Sequence, residues 1–405
     1  MGVEGRRSYL NRNLWILIGV LSAAVSVQAE TEQIIETGHF WQNIAMAASA
    51  EQGCYTLQET GIGGAWITYI DDQTNCEVYL CGKPDCLHER MDVKATDPDL
   101  EERLSSCNAY AGKTIPHSIY YKDGYVYYLG YEEANYEVTL KRVSADGSIH
   151  EEIAVVGQSS VGAGIYSYLT LDEFCYFAYM PFTFDVEEKR TAELLKIHLD
   201  DGEIENLYSF EEIYASFSYL KRCGDDIYFL QSGYDEDGSS MKTLKCLDTV
   251  SGEISDVLKE RISRYAVTEK GEIYYFVVFE GIHHYDPESG EDTLIWECKE
   301  DSQVVEMCYN GTWLFLDNDV THRFLNDSPK TLIVLDKNGE EWNRIDMENY
   351  QSVLVNERHF LAEEYDSGSE SVVWNVISGD CIADANYTWT EIISACGHKR
   401  NGIDE

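Results

Sequence analysis

Residues 216–258, SFSYLKRCGDDIYFLQSGYDEDGSSMKTLKCLDTVSGEISDVL, decide the fold. Their hydrophobic period marks four short strands, at 216–223, 226–231, 241–247 and 253–258. Gly224 and Asp225 join the first pair, and the run Asp248-Thr-Val-Ser-Gly252 joins the last pair. Asp and Ser open such turns through side chain to backbone hydrogen bonds, and Gly accepts the positive φ that closes them.

The same order of strands and turns recurs outward in both directions. Copies begin near His117, Ile165, Ser263, Gln303 and Tyr350, and a first unit runs from Asn43 to Cys81. Their turns repeat the chemistry, as in Ala145-Asp-Gly147, Asp200-Asp-Gly202, Asp286-Pro-Glu-Ser-Gly290 and Asp336-Lys-Asn-Gly339. Copies of about 40 to 50 residues, each with four strands, have the period of a β-propeller. We therefore expect an all-β propeller of seven four-stranded blades, seven rather than six or eight. A single blade cannot bury both its faces, so strands apolar on both sides are expected, Ile273–Phe279 among them. The strand at 216–223 should be the inner one of its blade, and that at 253–258 the outer. Gly202, Gly252, Gly290 and Gly339 should occupy equivalent hairpin positions.

The organisation read from the chain is a signal peptide at 1–29, a linker at 30–42, the propeller at 43–386 with an insertion at 82–115, and a tail at 387–405. Arg6, Arg7 and Arg12 precede the apolar run 14–27, which ends in Val27-Gln-Ala29 before Glu30. A basic start, an apolar core and small residues before a cut are the marks of a secretory signal. The expected location is therefore secreted or at the cell surface, with no membrane insertion beyond the signal. No Cys follows the apolar run until Cys54, which argues against lipid attachment through an N-terminal Cys.

Of the 405 residues 12% are aromatic, with 29 Tyr against 6 Pro, a β-rich composition with ample material for a core. The formal charge of −43 comes from 30 basic and 73 acidic residues. Such a field repels nucleic acid and anionic lipid and keeps an exported protein soluble. Acidic turns such as Asp235-Glu-Asp237-Gly238 lack the ligand order of an EF-hand loop.

The chemistry-bearing residues concentrate in the insertion. Cys81, Cys86, His88 and Cys107 make a Cys₃His set of the kind that suits tetrahedral zinc. An exported chain oxidises thiols, so disulfides compete with a structural zinc. Residues 92–102 are polar and offer little apolar surface, so only these four side chains can hold the loop. They should converge, with Pro84 turning the chain back between Cys81 and Cys86. The stretch Cys81-Gly-Lys-Pro84-Asp-Cys86-Leu-His88, followed by Cys107-Asn-Ala109, resembles a motif of secreted or lipid-anchored, TolB-like propeller proteins of Gram-positive anaerobes. That resemblance covers most of the chain through the repeats. It implies a propeller, an exported compartment and one peculiar loop, and no particular activity.

Elsewhere the residues read as structural. Cys54 and Cys76 share one unit, Cys298 and Cys308 flank a short connection, and Cys175, Cys223, Cys246, Cys381 and Cys396 read as small apolar residues. His283 and His284 are adjacent in a strand, so their rings point to opposite faces and cannot share a metal. There is no G-x-S-x-G, H-E-x-x-H or G-x-x-x-x-G-K-[ST]. With 73 acids, carboxylates close in sequence do not identify a glycosidase. The expected function is a binding module, a monomer that takes a protein, peptide or glycan partner at one propeller face, where recognition loops gather. An extracellular hydrolase or lyase on polysaccharide, using channel carboxylates, and a structural envelope component are the alternatives.

Overall fold

The computed structural model describes residues 47–59, 64–86, 100–132, 134–158, 165–180, 189–212, 215–234, 240–298, 303–309, 311–319, 330–346, 350–355, 359–366, 371–378 and 390–394. The signal, the linker and the acidic turn at 235–238 lie outside them. The described strands form a β-propeller. Six blades are four-stranded antiparallel sheets in strictly sequential order, spanning 114–158, 165–212, 216–260, 262–297, 303–346 and 350–391. The expectation of seven such blades is corrected, because the first unit is built differently.

That first unit is a six-stranded sheet. Ala47–Ala50, Gly53–Glu59, Ala65–Asp71 and Cys76–Tyr79 follow one another. Tyr110–Gly112, from the insertion, pairs antiparallel with Ala65–Asp71, and Ile393–Ser394 pairs parallel with Cys76–Tyr79. The stretch read as a tail thus supplies an edge strand here. It also supplies Thr390–Glu391, the fourth strand of the 350–391 blade. Cys54 and Ile70 pack against Val376 and Ile392, so the last blade closes on the first sheet.

Within a blade the period-two pattern sets the layers. In the 216–260 blade, Ser216–Cys223 has a run of four buried residues, whereas Ile254–Glu260 is half-exposed or exposed throughout. The first strands of successive blades are neighbours: Tyr168 Oη donates to Ser118 O at 2.9 Å, Leu220 N to Ser167 Oγ at 3.0 Å, and Tyr265 Oη to Tyr219 O. The first strand is therefore the inner one, as expected. Ile273–Val277 is buried at every position, which follows from blades packing on both its faces. The strand stops there, however, and Phe279 stands in the turn beyond it. Apolar clusters run from blade to blade. One spans 219–335 around Tyr265, Phe276 and Ile333, and another joins Phe217 and Phe229 to Tyr176 and Leu194.

The third-to-fourth-strand turns carry Gly202, Gly252, Gly290 and Gly339 at φ of 74°, 75°, 72° and 83°, at equivalent hairpin positions. In each an Asp carboxylate accepts backbone N–H groups just downstream, as Asp248 does from Val250 and Ser251. Among the described residues no helix is long and apolar enough to cross a membrane.

Candidate functional site

The outer edge of the first sheet is assembled from two pieces of chain. Ile67 is the switch point. Its carbonyl accepts the Leu80 N–H at 3.0 Å, while its own N–H donates to Ala109 O at 2.8 Å. The chain leaves the edge after Leu80 and returns at Ala109, and the cysteines flank both ends of the excursion. Cys81 follows the exit. Lys83-Pro84-Asp85 then turns the chain, closed by Cys86 N donating to Lys83 O at 3.3 Å. Cys107 comes off the end of the helix Leu100–Ser105, its N–H bonded to Leu104 O at 2.9 Å.

The Sγ atoms of Cys81, Cys86 and Cys107 all lie within 4.8 Å of one another. Among the described residues this is the one group of three or more His, Cys, Asp or Glu side chains arranged to hold a metal ion. The expected convergence holds for these three thiols. His88, the fourth member of the expected set, lies outside the described residues. No disulfide joins the three cysteines.

The surroundings are apolar on one side and rich in N–H donors on the other. Leu104, Trp66 and Ala109 are fully buried around Cys107, with Tyr79, Tyr110, Cys81 and Cys86 packed against them. The buried indole N–H of Trp66 has no hydrogen-bond partner. Burial pushes the Cys81 thiol up, but the N–H groups of Lys83 and Asn108, with the neighbouring Cys107 and Cys86 thiols, outweigh it and hold Cys81 below the ordinary thiol value. Burial drives Cys107 far up despite the Ala109 N–H that its sulfur accepts. Cys81 thus ionises before Cys107. Lys83 Nζ donates to Ser106 O at 2.6 Å and Asn108 Nδ2 to Gly147 O at 2.6 Å, which ties the root of the excursion to itself and to the next blade.

The other cysteines behave as small packing residues or partial ones. Cys54 and Cys175 are fully buried, and burial raises both thiols strongly. Cys223 and Cys246 are only half-buried, and Cys223 Sγ donates to Thr268 O at 3.1 Å. Cys381 and Cys396 lie outside the described residues. His283 stacks on Tyr275 and approaches Asp292, while His284 lies tilted against Tyr274 and approaches Glu272. The two imidazoles face opposite sides, as strand alternation requires.

A second feature escaped the sequence reading. Tyr136 and Phe279 both adopt left-handed backbone, with φ of 61° and 68°, and are 48% and 68% exposed. Each stands in the second-to-third-strand turn of its blade, between Tyr125–Glu132 and Glu137–Ser144 and between Ile273–Val277 and Gly281–Asp286. Antiparallel alternation brings these two turns to one end of the ring, opposite the Asp-capped turns. Bulky side chains rarely hold this conformation, which costs about 1–3 kcal/mol. Gly281, two residues past Phe279, was the available signal that the strand ends early.

No protein family matches the chain, and no curated protein sequence does. Among solved structures it is similar to the acylaminoacyl peptidase of Pyrococcus horikoshii, at 11% identity and a TM-score of 0.50, over 84% of this chain and 51% of that one. Looser likenesses are to BamB from Moraxella catarrhalis (10% identity, TM-score 0.41, 79% of this chain and 81% of that one) and to a puromycin-hydrolyzing peptidase of Mycobacterium tuberculosis (11%, 0.43, 84% and 59%). The chain therefore spans 51% and 59% of the two peptidases' lengths. At these identities the likeness is one of fold alone.

Proposed function

We propose that the protein is an exported binding propeller, monomeric, that takes a peptide, protein or glycan at the end of the ring bearing the second-to-third-strand turns. The observation that carries this reading is the pair of exposed, strained aromatics, Tyr136 and Phe279, on turns of that end. Backbone strain kept at an exposed aromatic has no folding benefit, since Asn or Gly would relieve it; contact with a partner is a use for it. Flat aromatic faces suit sugar rings and apolar or basic side chains alike. The net charge of −43 steers the choice toward basic or neutral partners and away from nucleic acid and anionic lipid.

The test is the full chain on peptide and glycan arrays, beside the variants Phe279→Asn and Tyr136→Asn. Asn tolerates left-handed backbone, so each variant should be as stable as the parent or more so, by up to about 1 kcal/mol. Both should lose array signal on the same ligands. Variants that keep full binding would show that this end of the ring is not the binding surface.

A further inference from the structure

We propose that Cys81, Cys86 and Cys107 form a trithiolate site for one soft divalent cation of the zinc class, which locks the root of the 82–108 excursion onto the first sheet. In a tetrahedral zinc site with bonds near 2.3 Å, sulfurs stand about 3.8 Å apart. Three sulfurs already within 4.8 Å of one another need only a small contraction to meet that edge length.

The number of sulfurs argues for a metal over a bond. A disulfide takes two and strands the third, whereas here each thiol lies within reach of both others and none is bridged.

The site also has a structural task that fits a closed metal centre. The two halves of the outer strand, ending at Leu80 and resuming at Ala109, are far apart in sequence, and the residues around them offer only a small apolar cluster. A cation bridging exit, turn and return removes the loop freedom that works against this arrangement. Each thiol gives up its proton as the metal binds, so one equivalent of metal releases up to three protons. The three sulfurs and a divalent ion leave a charge of about −1, which the Lys83 ammonium, held at Ser106 O, can offset. The fourth corner falls to a water or to a donor beyond these three.

The test uses the full chain, reduced and then titrated with zinc and, separately, with cobalt(II) as a spectroscopic stand-in. One equivalent of either should bind, and the cobalt form should show an intense thiolate-to-metal charge-transfer band. In Cys86→Ser that band should fall and zinc should bind more than about 100-fold more weakly, beyond the 10–100-fold that loss of an outer partner costs. Because Cys86 is on the turn and only half-buried, its variant should keep the parent's circular dichroism. If it does not fold, the parent decides: stripping the metal with a chelator should speed amide exchange at 109–112 and leave 273–277 unchanged. Absence of the charge-transfer band, an unaltered band in Cys86→Ser, unchanged exchange on stripping, or peptide mapping that finds one of the three in a disulfide would overturn the proposal.

Discussion

Asp146 shows how a single side chain is used throughout this protein. Its carboxylate accepts from Ser144 Oγ at 2.6 Å, Ser148 Oγ at 2.7 Å and Ser148 N at 3.0 Å. Those bonds from the Ser144 and Ser148 hydroxyls and the Ser148 N–H hold its pKa down to about 2. Asp71, Asp201, Asp248, Asp286 and Asp336 cap the corresponding turns. Part of the acidity is therefore turn chemistry and not a ligand site. Because the folded pKa lies below the unfolded value of about 3.9, the charged form stabilises the fold above that value, and the contribution is lost as pH falls toward about 2. Asp146→Asn should lower the melting temperature at pH 7, and its gap to the parent should close between about pH 4 and pH 2. A gap that persists undiminished at the acid end would assign the effect to shape and not to charge.

The third-to-fourth-strand turn is the element in which local and long-range demands meet. Gly252 and Gly339 share the left-handed conformation, yet their surroundings differ. A Cβ on Gly252 would meet nothing, whereas one on Gly339 would run into the carbonyl oxygen of Ile295 on the outer strand of the preceding blade. Gly252→Ala should therefore cost only the backbone term, about 1–2 kcal/mol. Gly339→Ala adds a clash with backbone that cannot swing away, for a total of about 3 kcal/mol or more. Urea unfolding of the two variants measures the difference, and equal losses would mean that the turn does not seat against its neighbour. The shared turn was legible in the spacing of Asp and Gly. The difference between its copies was not, because the residue that Gly339 meets lies one blade away.

At the scale of the whole molecule, the array is closed where residues 390–394 meet the first sheet. Ile392 is buried against Cys54, Ile70 and Val376, while Ile393 and Ser394 pair with Cys76 and Glu77. Ile392→Asp puts an unpaired charge into that seam and removes its packing, a loss of about 3–5 kcal/mol. Limited proteolysis should then cut near the first sheet before the 216–260 blade, and a variant with parental resistance would refute the closure.

The repeats, the all-β class, the inner and outer strands and the turns were legible from residues 216–258 and their copies, because strand alternation and turn dihedrals depend on residues a few positions apart. The convergence of Cys81, Cys86 and Cys107 was also within reach, since a polar loop has few means of being held. Tertiary structure alone decided the rest. The first sheet takes its outer edge from the insertion and from residues 393–394, so the blades are not equivalent, and residues 390–394 of the stretch read as a tail are part of the ring. Phe279 reads as a continuation of its apolar strand, yet it stands exposed in a turn, because pairing with Gly281–Asp286 ends the ladder at Val277. Each of these depends on which distant strand happens to lie alongside. A local hydrophobic pattern carries no information about that choice.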